Sequence, residues 1–338
     1  MTRQASVAAP HLVGASPAHV QLLQTLDRIA PIDAEVLISG PTGVGKELYA
    51  GYIHQHSLRA PAPFVAVNCA ALPPDLIENE LFGHVGGAFT GARPQSAGLV
   101  AEAEGGTLFL DEVDSLPIGC QAKLLRFLNE KEYRRLGETR LRHADLRIIA
   151  ATNTDLVAAV QAKTFRQDFF FRLRVVPIEV PPLAQRREDI PLLLAEFADR
   201  YSEAYRLPRV AFGERALGRL MSYQWPGNIR ELENCVKYLT CLQLTRPVDP
   251  YDLPLLDDGP KPEIPPLDVL VGSGPFKQVK RDLVVQFERA YLENALRRSG
   301  GNIAAAARAS GKPRRVFFEL MRKHRVGTSQ GIVNPPPN

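Results

Sequence analysis

The chain has 338 residues and a formal net charge of +4, with 45% hydrophobic and 23% charged residues. That length exceeds an ordinary single domain, no run of about eighteen apolar residues offers a membrane span, and the N-terminal MTRQASVAAPHLVG lacks a signal-peptide core. Cys69, Cys120, Cys235 and Cys241 form no metal-spaced cluster, so a cytoplasmic chain with reduced thiols, and neither disulfides nor zinc, is expected.

Short apolar runs, Val36–Ser39, Phe64–Asn68, Leu108–Leu110, Arg147–Ala151 and Val176–Val180, alternate with amphipathic stretches. Most are rich in β-branched residues, as buried parallel strands are. The alternation predicts an α/β fold, a parallel sheet covered by helices. The first run feeds GPTGVGKE: Gly40, Pro41, Thr42, Gly43, Val44, Gly45, Lys46 and Glu47. Its glycines let the main chain approach a phosphate, amides at the helix start face the anion, and Lys46 reaches the β and γ phosphates of ATP. Glu47 stands where most such loops carry a Ser or Thr ligand for Mg²⁺, so a magnesium ligand must come partly from elsewhere.

GGTLFLDEVD, residues 105–114, supplies it. Carboxylates at a strand end face the ligand crevice of an open α/β sheet. Asp111 is the expected Mg²⁺ ligand and Glu112 the base or orienter of the attacking water. Thr152 and Asn153 close the next apolar run, where a polar side chain can sense the γ-phosphate. Arg166 and Arg172 follow in FRQDFFFRL. In a ring ATPase, arginines so placed reach a neighbour's γ-phosphate and stabilise transition-state charge.

These blocks together resemble the AAA+ bacterial enhancer-binding proteins, the sigma-54-dependent activators. In that family Glu is usual after the P-loop Lys, as at Glu47. FVAVNCAAL, residues 64–72, matches a block whose Asn couples nucleotide state to the catalytic Glu, which implies that role for Asn68. ELFGHVGGAFTGA, residues 80–92, holds the family's GAFTGA loop intact as Gly87, Ala88, Phe89, Thr90, Gly91 and Ala92. The resemblance implies that this loop engages sigma-54 through Phe89 and Thr90. It also implies that Arg230, in WPGNIREL, is the nucleotide-sensing arginine of a helical lid. Departures occur at Val85 and Gly86, where charged residues are usual, at Lys163 in place of Gly, and at Ala184 in place of Arg.

Residues 183–245 carry helical patterning alone, and eight prolines between Pro247 and Pro275 read as a linker. Beyond it, Val279, Leu283, Phe287, Tyr291 and Ala295 recur every four residues, predicting an amphipathic helix. Residues 297–326 hold nine Lys or Arg against one acid, Glu319, so this end is +8 and the remainder −4. Such basicity at one end suggests a nucleic-acid contact. GGNIAAAARASGKPRRVFFELMRKHRV reads as two helices about a Ser310-Gly311-Lys312 turn, with Pro313 starting the second. Val316, Phe317 and Leu320 are expected inside and Arg314, Arg315, Phe318 and Arg322 outside, the arginines reaching base edges or phosphates of double-stranded DNA. The segment resembles the Fis-type helix-turn-helix of the same family, with Asn302 in its GN opening, and the resemblance implies DNA contacts at Asn302, Lys312 and Phe318 beside the arginines; Ala309 and Lys312 replace larger apolar residues.

The expected division is a disordered 1–11, an ATPase subdomain over 12–182, a lid over 183–246, a linker over 247–275, a helix-turn-helix domain over 276–326 and a disordered tail over 327–338. The resemblance implies an enhancer-bound activator that dimerises through its tail and assembles into a ring, as a hexamer in the family. It hydrolyses ATP with Mg²⁺ and remodels sigma-54 RNA polymerase on the bacterial nucleoid. Alternatives are a DNA-binding repressor without turnover and a remodeller of another target; intact catalytic residues oppose the first and GAFTGA the second. A start near residue 12 leaves no room for a sensory domain, so regulation by a protein acting in trans, by expression level or by self-assembly is expected.

Overall fold

The computed structural model describes residues 12–86, 95–255, 276–299, 302–324 and 326. The GAFTGA loop, the two expected disordered ends and linker residues 256–275 lie outside the described residues. The chain divides after Leu255 into two compact units.

In the first unit, helix α1 (Pro17–Ile29) begins at Ser16, whose hydroxyl accepts from the amide of His19, with Pro17 suited to the first helical position. Then follow β1 (Val36–Ser39), α2 (Lys46–Gln55), β2 (Phe64–Asn68), α3 (Pro74–Phe82), the single turn α4 (Leu99–Glu102), β3 (Thr107–Asp111) and α5 (Ile118–Glu130). A hairpin of β4 (Glu132–Tyr133) and β5 (Arg142–His143) precedes β6 (Arg147–Thr152), α6 (Leu156–Gln161), α7 (Gln167–Leu173) and β7 (Val176–Glu179). Five strands pair in the order β2-β3-β6-β1-β7. Every pairing is parallel, so the helical crossovers cover both faces of one sheet, the expected fold class.

Strand alternation sorts the core into two layers. Leu37, Leu108, Leu110, Ile148 and Ala150 pack with α3, α5 and α7. Val36, Ile38, Phe109, Ile149 and Ala151 face α1 and α2. The β4–β5 hairpin has no counterpart among the apolar runs, because its paired residues Glu132, Tyr133, Arg142 and His143 are mostly polar.

Arg147 is buried at the sheet's lower edge and donates to the carbonyls of Ile29, Ala30 and Ala34, satisfying acceptors at the end of α1 and just beyond it. Three further helices, α8 (Ile190–Tyr205), α9 (Glu214–Ser222) and α10 (Asn228–Cys241), form a separate core around Phe197, Leu220, Trp225, Leu232 and Val236. Trp225 is fully enclosed and donates its indole N–H to the carbonyl of Leu220 at 2.9 Å.

The second unit holds α11 (Phe276–Arg298), α12 (Ile303–Ala309) and α13 (Arg314–Lys323). Its core is Leu292, Leu296, Ala306, Ala307, Phe317 and Met321. Two expectations need correction here. Phe287 and Tyr291 are exposed: a strict four-residue spacing advances about 40° per step beyond a full turn, so it drifts off the packed face. Val316 is also exposed, since the i, i+4 pair Phe317 and Met321 points inward and Val316 lies about 100° away.

His54 is buried on α2 with Nδ1 2.9 Å from the hydroxyl of Thr107, and His19 is buried on α1. Burial holds both imidazoles below their ordinary range, although Asp189 opposes the shift at His19. A depressed histidine pKa means the unfolded chain binds more protons below about 6.5, so stability falls as pH drops through that value. Thermal unfolding followed from about pH 7.5 to 5.5 is expected to show a falling midpoint, and His54→Gln to flatten that slope.

Candidate nucleotide site and the basic helices

Register decides what meets at the upper edge of the sheet. Ser39 pairs with Thr152, and Asn68 with Asp111. The loop after β1, the acids after β3 and the polar pair after β6 therefore share one rim, at the position where ligands sit in open α/β sheets. The loop enters α2 through Gly43 at φ +80° and Gly45 at φ +93°, left-handed conformations open to glycine at little cost. Lys46 is the first residue of α2. Its Nζ donates to the carbonyls of Gly40 at 2.8 Å and Pro41 at 3.2 Å. Burial lowers the ammonium pKa, while Asp111, Glu112 and Asp114 pull it back up and Arg230 lowers it further. One cation, three carboxylates and the lid arginine thus share one electrostatic neighbourhood.

Asp111 ends β3, and its Oδ1 accepts the amide of Glu112 at 3.0 Å. Glu112 adopts φ +53°, a left-handed turn that carries the chain into the short helical segment Val113–Ser115. Thr152 is buried and donates to Asp114 at 2.7 Å; Asn153 donates to the hydroxyl of Thr42 at 3.0 Å. Asn153 therefore already touches the phosphate-loop candidate. Asn68 does something else: its Oδ1 accepts the amides of Ala70 and Ala71 and caps the turn after β2. Glu47 is exposed on the first turn of α2.

The two arginines of α7 differ. Arg166 is half-buried and chelated by Asp168, with Nε at 3.0 Å and Nη2 at 2.7 Å. Arg172 is tied to Glu35 at 3.1 Å, to the carbonyl of Leu128 and to Asn129. Neither side chain is among the groups brought to the phosphate loop.

Sequence reasoning missed the residues that clasp the lid to this loop. Asn228, buried at φ +53°, accepts the amide of Leu183 at 2.8 Å and donates to the carbonyl of Thr42 at 3.0 Å. The amide of Arg230 donates to the carbonyl of Gly43 at 3.2 Å. Arg186 donates to the hydroxyl of Tyr49 and the carbonyl of Val44. Asp189 accepts the amides of Ala15 and Ser16 and the Ser16 hydroxyl. A β-carbon on Gly43 would stand 2.3 Å from the carbonyl oxygen of Gly227, so the loop and the lid turn approach too closely for a side chain. Asn228, two residues before Arg230 in WPGNIREL, was the available signal.

Matches to known families cover most of the chain. Residues 12–179 match the sigma-54 interaction domain, 184–262 the AAA+ ATPase lid domain and 284–323 the bacterial regulatory proteins of the Fis family. The transcriptional regulatory protein ZraR of Escherichia coli K12 is 44% identical over 318 residues, spanning 92% of this chain and 68% of ZraR. The chain belongs to the sigma-54-dependent AAA+ activators. XylR of Pseudomonas putida, another transcriptional regulatory protein, is 51% identical over 225 residues, covering 67% of this chain and 40% of that protein. The crystal structure of NtrX from Brucella abortus with ADP superposes with a TM-score of 0.69 at 36% identity, covering 96% of this chain and 71% of NtrX; a second NtrX structure holds ATP. No described helix of this activator is long and apolar enough to cross a membrane.

In the second unit Asn302 caps α12, its Oδ1 accepting the amides of Ala304 and Ala305. The side-chain oxygen of Asn302, a residue expected at the DNA, thus serves the helix end. Lys312, Arg314, Arg315 and Arg322 are exposed, and Phe318 is half-buried. Arg315 pairs with Glu319 one turn on, a surface contact of small stability.

Asn228→Gly keeps the left-handed backbone and deletes both side-chain bridges. Urea unfolding is expected to show about 1–3 kcal/mol lost, with faster exchange of the Leu183 amide. Wild-type protection at Leu183 would mean the clasp is not held by Asn228.

Proposed function

We propose that this activator is an ATPase that works as a ring of like subunits on DNA and remodels RNA polymerase carrying sigma-54 from the closed to the open complex. The carrying observation is the shared rim: Lys46, Asp111, Glu112, Thr152 and Asn153 stand at the ends of three adjacent parallel strands. Family membership supports the same reading, as does the nucleotide held by NtrX.

The phosphate loop Gly40–Glu47 takes the ATP phosphates, with Lys46 as their buried counter-charge. The donor set suits magnesium: the strand-end carboxylate of Asp111, with Glu112 beside it, would hold the ion through hard oxygen ligands. Mg²⁺ held there supplies charge neutralisation on the phosphates. Glu112 accepts the proton of the attacking water, and Asn153 reports on the γ-phosphate through its bond to Thr42. Asn68 acts after releasing its turn cap. Arg230 senses nucleotide from the lid, and Arg166 and Arg172 serve the neighbouring subunit's site. Of the two, Arg166 needs only to exchange Asp168 for phosphate, whereas Arg172 must first leave Glu35, Asn129 and the Leu128 carbonyl.

The loop of Gly87, Ala88, Phe89, Thr90, Gly91 and Ala92 meets sigma-54. Arg314, Arg315, Lys312, Arg322 and Phe318 meet an upstream duplex site. Asn302 joins them at the start of α12, where its side-chain oxygen also caps the helix. The ATPase subdomain ends at 182 and the lid at 246, a linker follows to 275, and the DNA-binding domain runs to 326. The setting is the bacterial cytoplasm.

Glu112→Gln is expected to keep ATP binding and lose turnover by about 10²–10⁴-fold, measured as phosphate release alongside nucleotide titration. Turnover at the wild-type rate would remove Glu112 from the mechanism. Thr90→Ala is expected to leave ATP hydrolysis within about twofold and abolish open-complex formation on a sigma-54 promoter, scored by permanganate footprinting. Normal promoter opening by that variant would sink the sigma-54 assignment of the loop.

A further inference from the structure

Gln121 lies on α5 with no exposed surface, yet it carries a primary amide whose burial is costly unless its polar atoms are paired. They are paired, and to places of two kinds. Nε2 donates to the carbonyl of Leu116 at 2.8 Å and to that of Thr164 at 3.3 Å. Oε1 accepts the main-chain amide of Arg166 at 2.8 Å. One side chain therefore bridges the segment that follows the catalytic acid and the turn that presents Arg166.

Each end of the bridge is stiff. From Glu112 to Leu116 the chain is a tight turn, with the amide of Ser115 bonded to the carbonyl of Glu112 and that of Leu116 to the carbonyl of Val113. Asp114 in this turn accepts the hydroxyl of Thr152 at the end of β6. At the other end, Thr164 and Phe165 both donate to the carbonyl of Ala159, Phe165 is buried, and Arg166 is the N-cap of α7. The amide of an N-cap residue has no partner within its own helix; Gln121 provides one.

We propose that Gln121 is a positioning residue that sets Arg166 for the neighbouring subunit's nucleotide according to the state of its own subunit's Glu112 segment. The proposal rests on the reading that Arg166 acts across the subunit boundary. A shift of the 112–116 turn when the subunit's own site fills or empties moves the Leu116 carbonyl. The Gln121 amide transmits that shift to the Arg166 backbone, because both of its N–H groups are donated and its oxygen holds the Arg166 amide. An ångström of misplacement at a transition-state contact costs about 100-fold in rate, so a small movement suffices.

Mixed rings separate the two roles that each subunit plays. Glu112→Gln leaves a subunit with a dead site and an intact Arg166; Arg166→Ala leaves a working site and no arginine to lend. Mixing the two is expected to restore ATP hydrolysis where the working site faces the intact arginine. Gln121→Met is then added to one partner at a time. On the Glu112→Gln partner it is expected to cut the restored rate by about 100-fold. On the Arg166→Ala partner, whose arginine is already gone, it is expected to leave the restored rate standing.

Equal losses in both mixtures, or no loss in either, overturn the role of Gln121. If the parent mixture itself restores nothing, the trans reading of Arg166 falls and the proposal falls with it, an outcome the parent mixture alone reveals. Thermal midpoint and nucleotide binding are measured first for each double variant. Where Gln121→Met does not fold, Gln121→Asn carries the same test, since it keeps the amide and shortens its reach.

Discussion

A buried ammonium organises the centre of this molecule. Lys46 is withdrawn from water at the start of α2, and its charge is tolerated because two loop carbonyls accept from it and three carboxylates lie near it. That requirement dictates the rest of the rim. The carbonyls of Gly40 and Pro41 must turn inward, which bends the loop. The acids must come from a strand close to β1, which the crossover order places two positions away, beyond β6. A cation so placed is short of counter-charge within its own loop and is suited to the phosphates of ATP.

The lid belongs to the same construction. Leu183 and α10 meet at Asn228, and Asn228 in turn meets the phosphate loop, so three elements distant in sequence share one side chain. The separate polar set of Asp189, Ser16, Arg186 and Tyr49 does the same beneath it, joining the lid's first turn to α1 and α2. In the second unit a helix-turn-helix of modest core size presents exposed Arg314, Arg315 and Arg322. Its basicity is a surface property of one helix and its preceding turn.

Much of this was legible in the chain because it follows from local chemistry. Apolar runs marked all five sheet strands, and the phosphate loop and acidic strand end were readable from residue type and spacing. What escaped depends on packing that no single segment encodes. The β4–β5 pair is too short and polar to leave a period. Arg186, Asp189 and Asn228 are polar residues in helical neighbourhoods, and burial alone distinguishes them. Phe287 and Val316 look apolar enough to be core, yet helix geometry turns them outward. Lys163 was visible as a departure from a family Gly, and its φ of +59° gives the reason that Gly suits the place.

The clasp between lid and loop has a consequence for timing. Its links to Thr42 and Gly43 are two ordinary hydrogen bonds in addition to the pair made by Arg186. At about 0.5–1.5 kcal/mol for each neutral bond and about 1.5–3 for each bond from the Arg186 guanidinium, the four together contribute roughly 4–9 kcal/mol. A hinge held at that strength opens spontaneously in a small fraction of molecules, and a ligand that prefers one position by a comparable amount can reverse the balance. The lid is thus a latch set near the energy scale of a single bound ligand, weak enough to be opened and closed again.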